Sequence, residues 1–271
     1  DCPHITDEAT DTLSEASAPP MKLVKIGAGD KEVEIGQETV MYRHEEKFHR
    51  PTGIAVVVPG ELSDSEADEC IQVINSRTYT RVGSELKVGF AALDVETASD
   101  PAGRAKAGEK SDVPLILMAS TKEKLVPAIE AVKQLRPLIY CADAGNIDDF
   151  AGIAASEKLP LAVYGKDLEE LAELTQKAKE KGAEELVLAF HGEDPAETVR
   201  EMTTARRAAL KKQYRPLGYP SMVELKGEEP EMETVLAASY AAKYGGIVMV
   251  RGAEPWELLP IMTAVQDVYT D

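Results

Sequence analysis

Residues 115–164, LILMASTKEKLVPAIEAVKQLRPLIYCADAGNIDDFAGIAASEKLPLAVY, contain the clearest structural pattern of the sequence. Three short apolar runs begin at Leu115, Leu138 and Leu161, and a longer amphipathic stretch separates each run from the next. This alternation is typical of parallel β-strands, because a parallel connection has to cross the sheet and usually does so as a helix. The stretch therefore predicts strand, helix, strand, helix and strand in succession.

The same alternation runs from Gly53 to the end of the chain and gives eight strand-and-helix units. Eight parallel strands can close into a barrel, and 271 residues is an ordinary length for one such domain. We therefore predict an α/β fold, a (β/α)8 TIM barrel; an open, doubly wound sheet has the same periodicity and is the less favoured alternative. The predicted strands are 54–58, 88–93, 115–119, 138–141, 161–164, 186–190, 221–224 and 247–250, and the predicted helices are 63–75, 102–109, 122–134, 147–156, 168–181, 195–212, 231–244 and 255–268.

The first 20 residues differ in composition from the rest of the chain. Residues 1–20 are acidic and rich in alanine and serine, with a short helix predicted over 6–16, and they end at Pro19-Pro20. The sequence opens on Asp1 rather than on methionine. We expect a processed or truncated polypeptide in which residues 1–20 lead into the barrel domain.

Residues 21–52 precede the first barrel strand. Glycine-containing turns separate two or three β-like runs, a pattern that predicts a small antiparallel β flap. We group this flap with the barrel as one domain, 21–271. The segment 43–53, which enters the first strand, is dense in charge and histidine, and we interpret it as a polar connector. The three β-like runs are 23–26, 33–35 and 39–42.

The charge balance excludes some classes of partner. The chain has 48 acidic and 30 basic residues, a net charge of −18, which repels a nucleic-acid backbone and an anionic membrane surface. The sequence contains neither an apolar run long enough to span a bilayer nor a secretory signal at its start. We expect a soluble, cytoplasmic protein that does not bind nucleic acid or membranes.

Three cysteines, Cys2, Cys70 and Cys141, are an odd number at wide spacings. This arrangement fits neither a disulfide framework nor a self-contained zinc site, so reduced thiols are expected. The four histidines are scattered, and no glycine-rich phosphate loop follows any predicted strand. Zinc chemistry and nucleotide binding are therefore disfavoured.

Barrels of this type place their chemistry at the C-terminal ends of the strands. Asp94, Asp143 and His191 follow predicted strands and are candidates for binding a polar ligand or moving a proton, and Asn146, beside Asp143, is a further candidate for cofactor binding. The more favoured interpretation is that such residues cap the following helices. Cys141 and His191 could form a nucleophilic pair, although a buried structural thiol is the preferred reading. The other strand-end candidates are Pro59, Ser120, Tyr164, Gly165, Glu224 and Arg251.

Residues 42–45, Tyr-Arg-His-Glu, and residues 51–55, Pro-Thr-Gly-Ile-Ala, resemble the large subunit of the corrinoid/iron–sulfur protein. Several blocks in one order are more specific than a single motif, and the resemblance covers essentially the whole chain. The further similar blocks are 17–20, 137–140, 161–165, 168–174, 218–220 and 268–271.

This resemblance implies a large subunit with three parts: an N-terminal domain with a [4Fe–4S] cluster, a central barrel, and a C-terminal domain that helps to hold a corrinoid. It also implies pairing with a small subunit that is itself a barrel. In that family a methyltransferase transfers a methyl group from a methyltetrahydropterin to the cobalt, which delivers it to acetyl-CoA synthase. The barrel would then be a scaffold and a subunit interface.

Three departures from the family are visible in the sequence. Cys2-Pro3 is similar to the last cluster-binding cysteine and its proline, but the three preceding ligands are not present, so we expect no complete cluster here. We also expect no corrinoid domain in these 271 residues, because the sequence stops where the last barrel helix should end. Residues 188–192 differ from the shorter, Asp-containing turn of the relatives, so the family assigns no role to His191.

Three functions remain open at this stage. The leading hypothesis is the barrel of a methyl carrier, with no catalytic side chain of its own. The alternative is a stand-alone, pterin-dependent barrel methyltransferase, in which Asp94, Asp143 and Asn146 would bind the cofactor. A purely structural interaction module released by proteolysis is the third.

Overall fold

The computed structural model of the chain describes residue 6 and residues 17–42, 45–46, 48, 50–192, 194–227 and 229–269. Eight parallel strands close into a barrel, and a helix follows each of them, so the predicted (β/α)8 TIM barrel is confirmed. The strands are β1 Leu23–Ile26, β2 Val33–Gly36, β3 Gly53–Val58, β4 Thr78–Arg81, β5 Ser84–Lys87, β6 Phe90–Asp94, β7 Leu115–Met118, β8 Leu138–Ala142, β9 Leu161–Tyr164, β10 Leu186–His191, β11 Ser221–Glu224 and β12 Gly245–Val250. The helices are α1 Asp64–Ser76, α2 Pro101–Ala107, α3 Lys122–Val132, α4 Ile147–Glu157, α5 Leu168–Glu180, α6 Pro195–Lys212, α7 Pro230–Ala242 and α8 Pro255–Tyr269.

The barrel strands run in the order β3-β6-β7-β8-β9-β10-β11-β12, and β12 pairs with β3 to complete the circle. All six residues of β3 are buried, because one face of the strand meets the barrel interior and the other meets the helices. Alternate residues therefore belong to two cores. The inner core includes Ala55, Val57, Phe90, Ala92, Ile116, Ala162, Val187, Met222 and Met249.

The hairpin of β1 and β2 closes the N-terminal end of the barrel, which we call the barrel base. Val24, Ile26 and Ile35 are almost fully buried and pack into the inner core. Hydrogen bonds fix the hairpin to loops that precede barrel strands. These bonds join Gly27 N to the carbonyl of Arg136 at 2.9 Å, Lys22 N to the carbonyl of Gly218 at 2.9 Å, and Lys25 N to Glu185 Oε1 at 3.0 Å, while the Arg136 guanidinium contacts the Lys25 carbonyl and Glu185.

Of the two or three runs considered for the flap, the first two form the antiparallel hairpin and the third, 39–42, is not a strand. No strand forms there, because the carboxylate of Glu45 accepts hydrogen bonds from the backbone N–H groups of Met41 and Tyr42, each at 3.1 Å. These amides are thus satisfied without a neighbouring strand. The predicted helix over 6–16 lies outside the described residues, apart from Thr6.

A second antiparallel hairpin, β4–β5, was not predicted. It lies between α1 and β6 and turns at Val82-Gly83, where both residues have positive φ angles of 51° and 76°. This is the geometry of a tight hairpin turn, in which glycine is the unstrained residue. Arg81 ties the hairpin to α8 through an ion pair with Asp267 at 2.8 Å.

The charged connector before β3 is held by a buried arginine. The guanidinium of Arg206 on α6 donates to the carbonyl of Val40 at 2.7 Å and lies over the rings of Phe48 and Tyr244, at 5.1 and 4.6 Å from their centroids. Burial lowers the pKa of Arg206. Arg206 therefore holds Val40 and the connector residue Phe48 against α6. None of the described helices has both the length and the hydrophobicity to cross a bilayer.

We expect Ile35→Ala to lower the free energy of unfolding by about 2–5 kcal/mol, because it empties a fully buried site between the hairpin and the inner core. Urea unfolding followed by circular dichroism measures the change. Val235→Ala, at a position 59% exposed, is the matched control and should change stability by less than about 0.5 kcal/mol. Equal effects of the two substitutions would mean that the hairpin is not part of the core.

Candidate functional site

The C-terminal ends of the strands form the end of the barrel opposite the base, which we call the barrel mouth. Its centre is Glu224, the last residue of β11, with only 1% of its surface exposed. Met222 faces the inner core, so the alternation of a strand brings Glu224 to the same interior face. A carboxylate this deeply buried needs charged or hydrogen-bonding partners.

Three side chains supply those partners. The hydroxyl of Tyr140 on β8 donates to Glu224 Oε2 at 2.6 Å, Lys226 Nζ lies 2.9 Å from the same oxygen, and Arg251 Nη2 lies 3.1 Å from Oε1. Burial, reinforced by the nearby Cys141 and Glu224, raises the pKa of Tyr140 well above its usual value. The phenol therefore keeps its proton and acts as a donor. Glu224 is thus held as a paired carboxylate.

Two flat rings stand beside this cluster. Tyr164 at the end of β9 and His191 at the end of β10 are stacked, with centroids 4.1 Å apart and an interplanar angle of 13°. His191 is the residue that pairs with Glu224 in the register of β10 and β11. The mouth therefore combines an aromatic pair with a buried, ion-paired carboxylate.

The Cys141 thiol is a poor nucleophile in this setting. Burial, with a further contribution from the negative charge of Glu224, raises the pKa of Cys141 to about 12. A thiol that keeps its proton at neutral pH does not attack an electrophile efficiently. The raised pKa therefore favours the interpretation of Cys141 as a structural thiol over a nucleophilic pair with His191.

Asp94, at the end of β6, is half-buried and folds its own loop. Its two carboxylate oxygens accept hydrogen bonds from the backbone N–H of Thr97 at 3.1 Å and from the Thr97 hydroxyl at 2.8 Å. Aspartates commonly organise the turn after a strand in this way.

Asp143 and Asn146 organise the loop after β8. Asp143 Oδ1 accepts from the backbone N–H groups of Gly145 at 2.7 Å and Asn146 at 3.2 Å. In return Asn146 Oδ1 accepts from the Asp143 N–H at 2.8 Å, and Asn146 Nδ2 donates to the carbonyl of Ser120 at 3.0 Å. The structure thus brings both residues to the mouth and engages them in the local turn that leads into α4.

Two further carboxylates at the mouth were missed from the sequence. Glu96 Oε2 accepts from the backbone N–H groups of Ser120 at 2.8 Å and Thr121 at 3.2 Å, at the start of α3. Burial alone would raise the pKa of Glu96, but these hydrogen bonds lower it overall. Thr121 is the N-cap residue of α3, but its side chain makes no capping hydrogen bond to the helix.

Glu233, in the first turn of α7, takes the equivalent place after β12. Its two oxygens accept from the backbone N–H groups of Arg251 and Gly252, each at 2.9 Å. The loops after the last two strands of such barrels often bind phosphate through backbone amides. Here the carboxylate of Glu233, from the same chain, accepts the hydrogen bonds of these amides. Neither bond has a sequence signature, because each glutamate reaches a loop from another part of the chain.

Metal ligands are not assembled in the part of the chain that the structure describes. No group of three or more histidine, cysteine, aspartate or glutamate side chains is placed to hold an ion there. Cys70 lies partly exposed on α1 and Cys141 at the mouth, while Cys2 is outside the described residues. A [4Fe–4S] cluster is held by several thiolates that lie close together, so the described barrel, with Cys70 and Cys141 on separate elements, does not fit one.

The fold is similar to that of solved barrel enzymes. Yersinia pestis DHPS with a pterine–sulfa conjugate matches with a TM-score of 0.58 at 12% identity, over 80% of this chain and 93% of that one. At this identity the likeness shows the fold alone.

Curated relatives match over the whole chain. The large subunit of the corrinoid/iron–sulfur protein of Moorella thermoacetica is 35% identical over 274 residues, covering 100% of this chain and 61% of the relative. The gamma subunit of the acetyl-CoA decarbonylase/synthase complex of Methanopyrus kandleri is 32% identical, covering 100% of this chain and 62% of the relative. The chain therefore spans about three fifths of the length of these relatives.

The family model described as CO dehydrogenase/acetyl-CoA synthase delta subunit matches residues 23–271. The relatives carry the names of the large or gamma subunit, which is the resemblance expected from the sequence blocks. Because this match runs from the first strand of the base hairpin through the last barrel helix, the chain belongs to the CO dehydrogenase/acetyl-CoA synthase delta subunit family.

Proposed function

We propose that the chain is the barrel of a cytoplasmic corrinoid/iron–sulfur methyl carrier and that it acts as a scaffold and subunit interface. The carrier would receive a methyl group from a methyltetrahydropterin through a methyltransferase and deliver it to acetyl-CoA synthase. Its direct partner would be the small subunit, in a heterodimer. The names of the relatives, a corrinoid/iron–sulfur protein and an acetyl-CoA decarbonylase/synthase subunit, support this proposal.

The observation that carries the scaffold role is the mutual pairing of polar groups at the mouth. Glu224 binds Tyr140, Lys226 and Arg251. Glu96 and Glu233 accept hydrogen bonds from backbone amides of neighbouring loops. A general acid or base must reach the reacting group of a substrate. These side chains instead bind one another and the loops, which is what a rigid support requires.

The cofactors would be held largely outside the described barrel. We propose that residues 1–20 are the remnant of a cluster domain with its linker, and that Cys2 is the last of four cluster ligands. The corrinoid, which would supply the methyl-accepting chemistry, belongs in this proposal to the additional length of the relatives. The barrel itself, residues 21–271, would supply the fixed frame.

The 271-residue chain should not assemble a [4Fe–4S] cluster, because such a cluster needs closely spaced thiolates, whereas the three cysteines of the chain are far apart in sequence and Cys70 and Cys141 lie on separate elements of the barrel. After anaerobic reconstitution with iron and sulfide, we expect the absorption and electron paramagnetic resonance spectra to show no such cluster. A full-length relative, treated in parallel, is the positive control and should show cluster and corrinoid bands. A stable four-iron cluster in the chain alone would contradict the assignment.

A second candidate function is a pterin-binding barrel methyltransferase. The fold similarity to DHPS with a pterine–sulfa conjugate favours it. In this case Asp94, Asp143 and Asn146 would bind the pterin, because all three lie at the mouth. Asp94 and Asp143 already make hydrogen bonds within their own loops, which favours the carrier function over pterin binding.

Calorimetric titration with methyltetrahydrofolate separates the two functions. The carrier barrel should show no saturable binding. Saturable binding that is lost in Asp143→Ala, at the mouth, and kept in Asp112→Ala, at the exposed base, would establish the pterin enzyme instead. Circular dichroism of both variants checks that the fold is intact.

Cys141 should react slowly with iodoacetamide at pH 8. Raising its pKa from 9.0 to about 12 lowers the thiolate fraction about a thousandfold, and thiolate is the reactive form. Peptide mass spectrometry should show alkylation of Cys141 at least about a hundredfold slower in the folded chain than in urea. Cys70, only partly buried, should be labelled faster than Cys141 in the folded chain. Rapid native labelling of Cys141 would show a reactive thiol at the mouth.

A further inference from the structure

Two cations lie side by side at the barrel mouth. Lys226 lies in the loop after β11 and Arg251 directly follows β12, which are the seventh and eighth strands of the barrel. Lys226 Nζ lies 2.9 Å from Glu224 Oε2, and Arg251 Nη2 lies 3.1 Å from Glu224 Oε1. Because both cations bind the same carboxylate, the ammonium and guanidinium groups are close neighbours.

Glu224 fixes the two cations in place without cancelling their charge. Two cations against one carboxylate leave the group with an excess of positive charge. The side chain of Glu224 is only 1% exposed, whereas those of Lys226 and Arg251 are 42% and 44% exposed. The negative member of the group therefore lies underneath, and the positive members face the solvent.

Both cations keep hydrogen-bond donors for a ligand. A guanidinium carries five N–H donors and an ammonium carries three. Among the described residues, the charged ends of Lys226 and Arg251 make their contacts with Glu224. Further donors on each side chain are thus available above the carboxylate. An anion with several acceptor oxygens can accept from both side chains at once.

The position of this pair in the fold indicates which anion it binds. The loops after the seventh and eighth strands of such barrels frequently form a phosphate site. The backbone amides at this place are already used, because Glu233 accepts from the N–H groups of Arg251 and Gly252, each at 2.9 Å. A phosphate would therefore be held by the side chains of Lys226 and Arg251 rather than by the loop backbone.

An aromatic surface adjoins the two cations. Tyr164 and His191 end β9 and β10, and their rings are stacked with centroids 4.1 Å apart. His191 lies beside Glu224 in the register of β10 and β11. Both rings are half-buried, so part of the stacked pair reaches the surface of the mouth. A flat organic group attached to the phosphate could lie against this pair.

The other half of the mouth has the opposite character. Asp94 and Glu96, after β6, and Asp143, after β8, are carboxylates that accept hydrogen bonds from their own or neighbouring loops. The cations and the aromatic pair instead follow β9 to β12. An anionic ligand is therefore drawn to the half of the mouth that contains Lys226 and Arg251.

We infer that Lys226 and Arg251, held from below by Glu224, bind the phosphate of a small phosphate monoester whose flat organic group lies beside Tyr164 and His191. This site goes beyond the scaffold role and does not depend on it. A phosphate monoester fits better than a carboxylate, because it carries nearly two negative charges at neutral pH and offers three acceptor oxygens to two cations. The site binds its ligand and makes or breaks no bond.

Phenyl phosphate is the probe, because it combines a phosphate with one flat ring. Calorimetric titration into the 271-residue chain should show saturable binding with a dissociation constant of about 1 mM or tighter. Inorganic phosphate should bind more weakly because it lacks the ring, and benzoate should bind more weakly because it carries a single charge. Rising salt should weaken the binding of phenyl phosphate, since both cations are partly exposed.

Substitutions locate the site. Arg251→Gln and Lys226→Gln should each weaken the binding of phenyl phosphate by about tenfold or more, because each removes charge-assisted hydrogen bonds. Tyr164→Leu should weaken the binding of phenyl phosphate but leave that of inorganic phosphate unchanged. Arg200→Gln, at an arginine on α6 that is 69% exposed, removes the same charge as Arg251→Gln and is the matched control. It should bind like the unmodified chain.

Circular dichroism checks the fold of each variant. Lys226 is exposed, so Lys226→Gln tests the site even where Arg251→Gln lowers stability. No saturable binding of phenyl phosphate up to about 10 mM would overturn the inference. Unchanged binding in both Lys226→Gln and Arg251→Gln would place the anion elsewhere and overturn it as well. Neither result would affect the scaffold role, which the cluster reconstitution and the methyltetrahydrofolate titration test separately.

Discussion

The pairing of β12 with β3 is the contact that closes the barrel. It joins the two ends of the strand series in register, with Ile247 beside Gly53, and the hydroxyl of Thr52 donates to the carbonyl of Gly245 at 2.6 Å. A side chain at position 53 would collide with the ring of Phe90, so only glycine allows the seam to close. Closure fixes the position of each strand end relative to the other strand ends. The side chains around Glu224 are thereby fixed as well.

The sequence predicts the barrel well because its strands are buried on both faces. Continuous apolar runs such as β3 stand out between amphipathic helices. Hairpin β4–β5 was missed because its short strands are polar and largely exposed. The error at 39–42 has the opposite cause: its residues favour a strand, but Glu45 bonds the backbone there and no neighbouring strand is present.

The mouth could be predicted only in part. Residues at strand ends are visible in the sequence, and counting two positions on from an inward-facing residue such as Met222 identifies Glu224 as interior. The partners of Glu224 cannot be predicted from strand alternation, because Tyr140 lies 84 residues and Arg251 lies 27 residues from it in the sequence. The roles of Glu96 and Glu233 depend on bonds between separate loops. Those bonds give the mouth its rigidity, and they become evident only once the barrel has closed.

The base hairpin sets an order of events during synthesis. Its apolar residues Val24, Ile26 and Ile35 leave the ribosome before the barrel strands do, whereas Glu185, which binds Lys25, is 160 residues further along the chain. At ordinary translation rates of about 5–20 residues per second, that interval is roughly 10–30 s. During this time the hairpin lacks its contacts with the later strands, so its three apolar side chains are exposed to nascent-chain chaperones before the barrel has closed.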